Sequence, residues 1–176
     1  MKRTLGIYTN FPNTYHGAAK LEFKVSLSNL QKAILNALHR LNGNSVGAHL
    51  SSLIGPDIEV IPEFGVADGL TFNYLDKDTL NVILDLINEG EVRILDFFCV
   101  IRYYKLKEKV RRALRFDYYF LRFLFGGDEF ELQVFHEKGL ERIPIEGLIK
   151  FLIENINVEL LRKGASPIKI VDVWTI

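Results

Sequence analysis

Two adjacent carboxylates, Asp128 and Glu129, follow a pair of glycines in the stretch FLFGGDEF. Acids beside a side-chain-free turn suit Mg²⁺ and a phosphate, but the ion takes near-octahedral oxygen coordination, so further carboxylates must converge on it. Asp76 and Asp78 of DKDTLNVILD, with Asp85 behind them, are the acids available for that role. A second chemistry is electrostatic. Lys107, Lys109, Arg111, Arg112 and Arg115 crowd into nine residues between two tyrosine pairs, Tyr103-Tyr104 and Tyr118-Tyr119, and clustered cations are what a nucleic-acid backbone requires.

The glycines have a structural reading of their own. With Gly126 and Gly127 at the centre of a type I′ turn, where positive φ suits glycine, Phe123 faces Phe130, Arg122 faces Glu131 and Leu121 faces Leu132. Such cross-strand pairs contribute about 0.2–1 kcal/mol each. In this register His136 faces Asp117, either as an acid–base pair or as a satisfied cross-strand contact. Turn geometry and pairing then account for both glycines and for Phe130. They leave Asp128 and Glu129 unexplained.

The string GGDEF resembles the signature of the diguanylate cyclase family, which carries it on a hairpin whose acids help to hold magnesium and a guanine nucleotide. That resemblance implies a magnesium-dependent nucleotide enzyme using Asp76, Asp78, Asp128 and Glu129. It covers five contiguous residues of 176. Leu80, Asn81 and Leu84 stand where the family has Phe, Lys and Asn, and Leu124 stands where it has an arginine.

For the basic stretch, periodicity decides between strand and helix. As a strand, Leu106 and Val110 share a side with Glu108 and Arg112. At 100° per residue, Leu106, Val110, Ala113 and Leu114 form one stripe, which predicts a basic helical connector over 105–115 with its cations outward and Glu108 paired to Arg112. At each tyrosine pair one ring must point away from its neighbour, so rings and cations are not expected to interleave on one surface.

These groups need a frame. The alternation of AAKLEFKVSL predicts a strand through Leu27, followed by a helix with a Ser28–Gln31 capping box that ends at Gly43. Residues 44–57 read as an irregular connection with a helical turn at 48–53. Strands follow in IEVIP and GLTFNYL, then a helix capped by Asp76 or Asp78 and a strand over 92–104. The last third predicts strands 116–125 and 129–136, a helix from Pro144 to before Gly164, and the strand IKIVDVWTI. The order strand-strand-helix-strand occurs twice. It predicts an α+β fold with a mixed, mainly antiparallel sheet and helices on one face, built from ferredoxin-like halves. The chain reads as a single domain with sub-units 1–104 and 116–176.

Composition narrows the function classes. At 48% hydrophobic and 25% charged residues the chain is globular in character, and no apolar run is long enough for a membrane helix. Together with an N-terminus lacking a signal-peptide core, this predicts a cytoplasmic protein. The single cysteine, Cys99, lies in an apolar run and reads as buried and inert. The histidines His16, His39, His49 and His136 lack metal-ligand spacing, and no cofactor motif occurs, so no cofactor is expected. Charge is segregated: residues 55–99 carry ten acids and two bases, residues 100–125 eight bases and two acids. The leading expectation is a non-catalytic interaction module that forms a homo-oligomer. The alternatives are an RNA- or DNA-associated protein using Lys107, Lys109, Arg111, Arg112 and Arg115, and the magnesium-dependent nucleotide enzyme.

Overall fold

The computed structural model describes residues 4–8, 10–46, 50 and 53–176. His49 and most of the turn expected at 48–53 lie outside them. The described residues form nine strands and three helices: β1 (Thr4–Ile7), β2 (Gly17–Glu22), α1 (Leu27–Leu41), β3 (Ile58–Ala67), β4 (Thr71–Tyr74), α2 (Lys77–Glu89), β5 (Ile94–Lys107), β6 (Val110–Ala113), β7 (Asp117–Phe125), β8 (Glu129–Lys138), α3 (Ile145–Arg162) and β9 (Lys169–Thr175). The strands make one sheet in the order β1-β4-β3-β5-β7-β8-β2-β9, with β6 on β5. Each ladder is antiparallel. The fold class is therefore α+β, as the sequence predicts. The two strand-strand-helix-strand runs do not form separate halves, because β2 lies between β8 and β9. No described helix is long and apolar enough to cross a membrane.

Alternation gives the sheet an inner face built from Phe64, Phe97, Cys99, Leu121, Phe123, Phe130 and Leu132, all at most 2% exposed. Leu30, Ile34 and Leu38 of α1 and Leu148, Leu152 and Ile156 of α3 close over it. Each such side chain contributes about 1.5–3 kcal/mol by leaving water. Arg40 of α1 ties the helices together, donating to Glu159 Oε1 at 2.7 Å and to the Asn155 carbonyl at 3.1 Å. Cys99 is buried as expected, and burial pushes its thiol pKa well above the usual range. Asp76 is the cap of α2, accepting from the Thr79 N–H at 2.9 Å.

Three local expectations are corrected. β2 ends at Glu22, and Ser26, not Ser28, caps α1 by accepting from the Asn29 N–H at 3.2 Å. Apolar alternation continues past Glu22, but its partner strand does not: the last bond there is Phe23 N–H to the Asp128 carbonyl in the β7–β8 loop. That loop is not a type I′ turn, since neither Gly126 nor Gly127 has positive φ. Phe125 pairs with Phe130 and Phe123 with Leu132, leaving residues 126–128 between the strands, with the Gly126 N–H donating to the Glu129 carbonyl at 2.9 Å. The pairing slips by two residues from the expected register. A slip of two preserves the faces, so the same aromatic residues still fill the core. Arg122 consequently meets Gln133 across the ladder and takes its carboxylate from Asp96 on β5, at 2.8 Å through both Nε and Nη2.

One buried carboxylate organises the opposite end of these strands. Asp117, fully buried, accepts from the Tyr103 hydroxyl at 2.7 Å, from the Glu141 and Arg142 N–H groups at 2.7 and 2.9 Å, and from His136 Nε2 at 3.0 Å. Gly139 adopts φ +114°, and a Cβ there would collide with the Asp117 carboxylate and stand 2.5 Å from the Phe116 carbonyl. Asp117→Ala removes the acceptor for four donors at once and is expected to destabilise the fold by about 3–5 kcal/mol in urea unfolding. A loss below about 1 kcal/mol would show that the network is not a stabilising element.

Candidate nucleic-acid interface

The basic stretch is not a helix. β5 runs on to Lys107, the chain turns at Glu108-Lys109, and β6 returns with Lys107 opposite Val110, Leu106 opposite Arg111 and Lys105 opposite Arg112. Both turn residues have positive φ, 49° and 66°, as a two-residue I′ loop requires. The apolar stripe that favoured a helix has nothing to pack on here, with Leu106 48% and Val110 64% exposed. Sheet partners override the period: β3 offers Ile58 and Glu59 to Lys105 and Tyr104, and the Asp57 carbonyl accepts from the Leu106 N–H at 2.9 Å. Glu108 sits on the turn and does not pair with Arg112.

The hairpin gathers the cations more tightly than a helix would. Lys105, Lys107, Lys109, Arg111, Arg112 and Arg115 are all exposed, with Glu108 the one acid among residues 105–115. Paired residues share a face, so Lys105 and Arg112 stand side by side, and the β3 neighbour of Lys105 is Ile58, which cannot neutralise them. Directly opposed like charges are destabilising. Arg111, on the other face, is engaged: it meets Glu59 Oε1 at 2.5 Å and lies 3.8 Å over the Tyr104 ring. Among the described residues the other five cations have no carboxylate partner.

The tyrosines divide as alternation requires. Tyr103 and Tyr119 are fully buried in the core, while Tyr104 and Tyr118 are half-buried on the outer face of the sheet. Contrary to expectation, rings and cations do meet there. Tyr118 stacks on Phe98 at 6.0 Å and 19°, Phe116 meets the Tyr104 ring at 5.9 Å, and a concave notch of about 330 Å³ opens between Leu114, Arg115, Phe116, Tyr118 and Lys138. Lys105 and Lys138 escape a sequence reading. Lys105 opens the connector expected over 105–115, where nothing marks it as paired with Arg112, and Lys138 reaches this face through a bulge that alternation does not reveal.

The proposed magnesium site does not assemble. Through the ladders Tyr74 is level with Gly65, Phe98 and Phe120, so Asp76 and Asp78 lie three strands and more than five residues from the loop holding Asp128 and Glu129. At about 4.8 Å per strand and 3.3 Å per residue, the two acid pairs stand roughly 20 Å apart. Direct magnesium ligands lie about 2 Å from the ion, so these acids cannot share one. Glu129 instead meets Lys20 at 3.1 Å. Among the described residues no three His, Cys, Asp or Glu side chains are placed to hold a metal together.

His136 does meet Asp117, and His16 Nδ1 accepts from the His136 N–H at 2.9 Å. Both histidines line a cavity of about 370 Å³ with Glu141 and Glu146. The Asp117 carboxylate that His136 meets also accepts from the Tyr103 hydroxyl and two backbone amides, so the contact is one member of a buried network that joins three segments. His39 stands in the last turn of α1, away from these groups.

The hairpin is directly testable. Glu108→Asn with Lys109→Gly supplies residues that favour positive φ and is expected to raise stability by about 1 kcal/mol in urea unfolding, whereas glycine inside a helix would lower it by a similar amount. In comparisons with protein-family models, curated proteins and solved structures, no match to this chain is found.

Proposed function

We propose that this chain binds nucleic acid, holding its phosphate backbone on the exposed β5–β6 hairpin. The observation that carries this reading is the side-by-side placement of Lys105 and Arg112 with Lys107 next to them and no carboxylate between. Neighbouring cations raise one another's free energy, and a polyanion relieves that cost while releasing its own condensed counterions. A two-stranded ribbon is also narrow enough to enter a groove or lie along a strand. The acids at 55–99 do not cancel this charge locally: Glu59 is taken by Arg111, and Glu63 by Arg102 at 2.7 Å.

Fluorescence anisotropy with a labelled single-stranded oligonucleotide across a salt series tests the reading. Affinity is expected to fall steeply with salt, and replacing Lys105, Lys107 and Arg112 by Gln should make the log–log slope shallower by about 2, at about 0.7 per lost single-strand phosphate contact. The substituted side chains are exposed, so stability should change by less than about 0.5 kcal/mol each. Absence of binding at low salt, or an unchanged slope in the variant, would refute it.

A second reading, a non-catalytic module that forms a homo-oligomer, is favoured by β9. Among the described residues this seven-residue strand ends the sheet and pairs with β2 alone, and it leaves Val171 48% exposed. Unpaired strand edges recruit further strands. Light scattering should then give a dimer mass that Val171→Lys reduces to a monomer; a monomer at every concentration would exclude this assembly.

A further inference from the structure

The notch at the foot of the hairpin has features that phosphate binding alone does not require. It forms where β8 stops at Lys138 while the chain opposite continues through Phe116 and Leu114 into β6, whose far edge has no strand beside it among the described residues. Two aromatic rings, Phe116 and Tyr118, and two cations, Arg115 and Lys138, line it together with Leu114. Neither cation has a carboxylate partner among the described residues. A volume of about 330 Å³ matches the lower end of small-ligand sites.

A bulge creates this composition. Tyr119 pairs with His136 but Tyr118 pairs with Lys138, so Glu137 is the extra residue. Without it Glu137 would stand opposite Tyr118, placing an acid beside the ring. With it, a lysine stands there. Bulges commonly re-aim one side chain next to a functional site. The Asp117 network holds the arrangement in place, because the loop that follows Lys138 is bonded to the carboxylate adjoining Phe116 and Tyr118.

We infer that this notch is a nucleotide subsite that takes one unpaired base against Phe116 and Tyr118, with its phosphate between Arg115 and Lys138, making the protein selective for single strands. Any base offers a π-face, so the subsite is tolerant of sequence, but in a duplex both faces of each base are already stacked. The inference rests on the nucleic-acid reading above and adds the base to the backbone.

The test compares three fluorescent probes at one salt concentration: a fifteen-nucleotide thymidine single strand, an abasic strand with the same phosphates, and a fifteen-base-pair duplex. The intact chain is expected to bind the thymidine strand about tenfold more tightly than the abasic one, in line with the stacking of one base. Phe116→Leu and Tyr118→Leu should each reduce that preference to about twofold while leaving abasic binding within twofold. Arg115→Gln with Lys138→Gln, which alters only exposed side chains, should weaken both strands equally and make the salt slope shallower by about 1.4. Equal affinity of the intact chain for thymidine and abasic strands, tighter binding of the duplex, or no effect of the double variant would each overturn the subsite and leave the hairpin reading standing. Failure to bind any probe would overturn both.

Discussion

The Asp117 carboxylate is the constraint around which this end of the molecule is arranged. A buried carboxylate is costly unless its lone pairs are met, and here β5 supplies a hydroxyl, β8 an imidazole and the following loop two amides. Each donor comes from a different position along the chain, so the carboxylate fixes three segments relative to one another. Glu141 accepts φ 53° so that its amide can turn inward. The loop passes over Asp117 so closely that Gly139 has no space for a side chain. From this anchored corner the chain enters α3 behind Pro144, and the Tyr119 hydroxyl donates to the Ile143 carbonyl at 3.1 Å to fix that entry.

Face assignments were legible in the sequence where the alternating pattern was long. Tyr119, Leu121, Phe123, Phe130, Leu132 and Val134 share the core face, although the register between their strands lay two residues from the expected one. Side-chain parity tolerates even slips, and a three-residue connection fits as well as a two-residue one when phenylalanine lies near it on both sides. The extent of α3 was equally readable, and the α2 cap was narrowed to Asp76 or Asp78, because capping and periodicity are local signals. The order of strands was not. Nothing local to Gly17–Glu22 says that it belongs between β8 and β9.

The basic stretch shows why a short periodic pattern misleads. Leu106, Val110, Ala113 and Leu114 satisfy a helical stripe, but four apolar residues stabilise a helix only if a surface receives them, and β3 offers backbone hydrogen bonds instead. The cations themselves were visible in the sequence; the side on which each stands was not. Lys138 beside Tyr118 is the clearest case, because one inserted residue decides which charge the ring meets.

The placement of β2 bears on how the chain can be made. Its pairs with β8 and β9, such as Gly17 with Val134 and with Thr175, span most of the polypeptide. A ribosome releases β2 long before either partner strand exists, so both of its edges stay unpaired until β8 is made. Pairing at such sequence separation also closes a long loop, which slows folding. The sheet can take in β2 only once β8 is released, and β9 then closes over the other edge of β2.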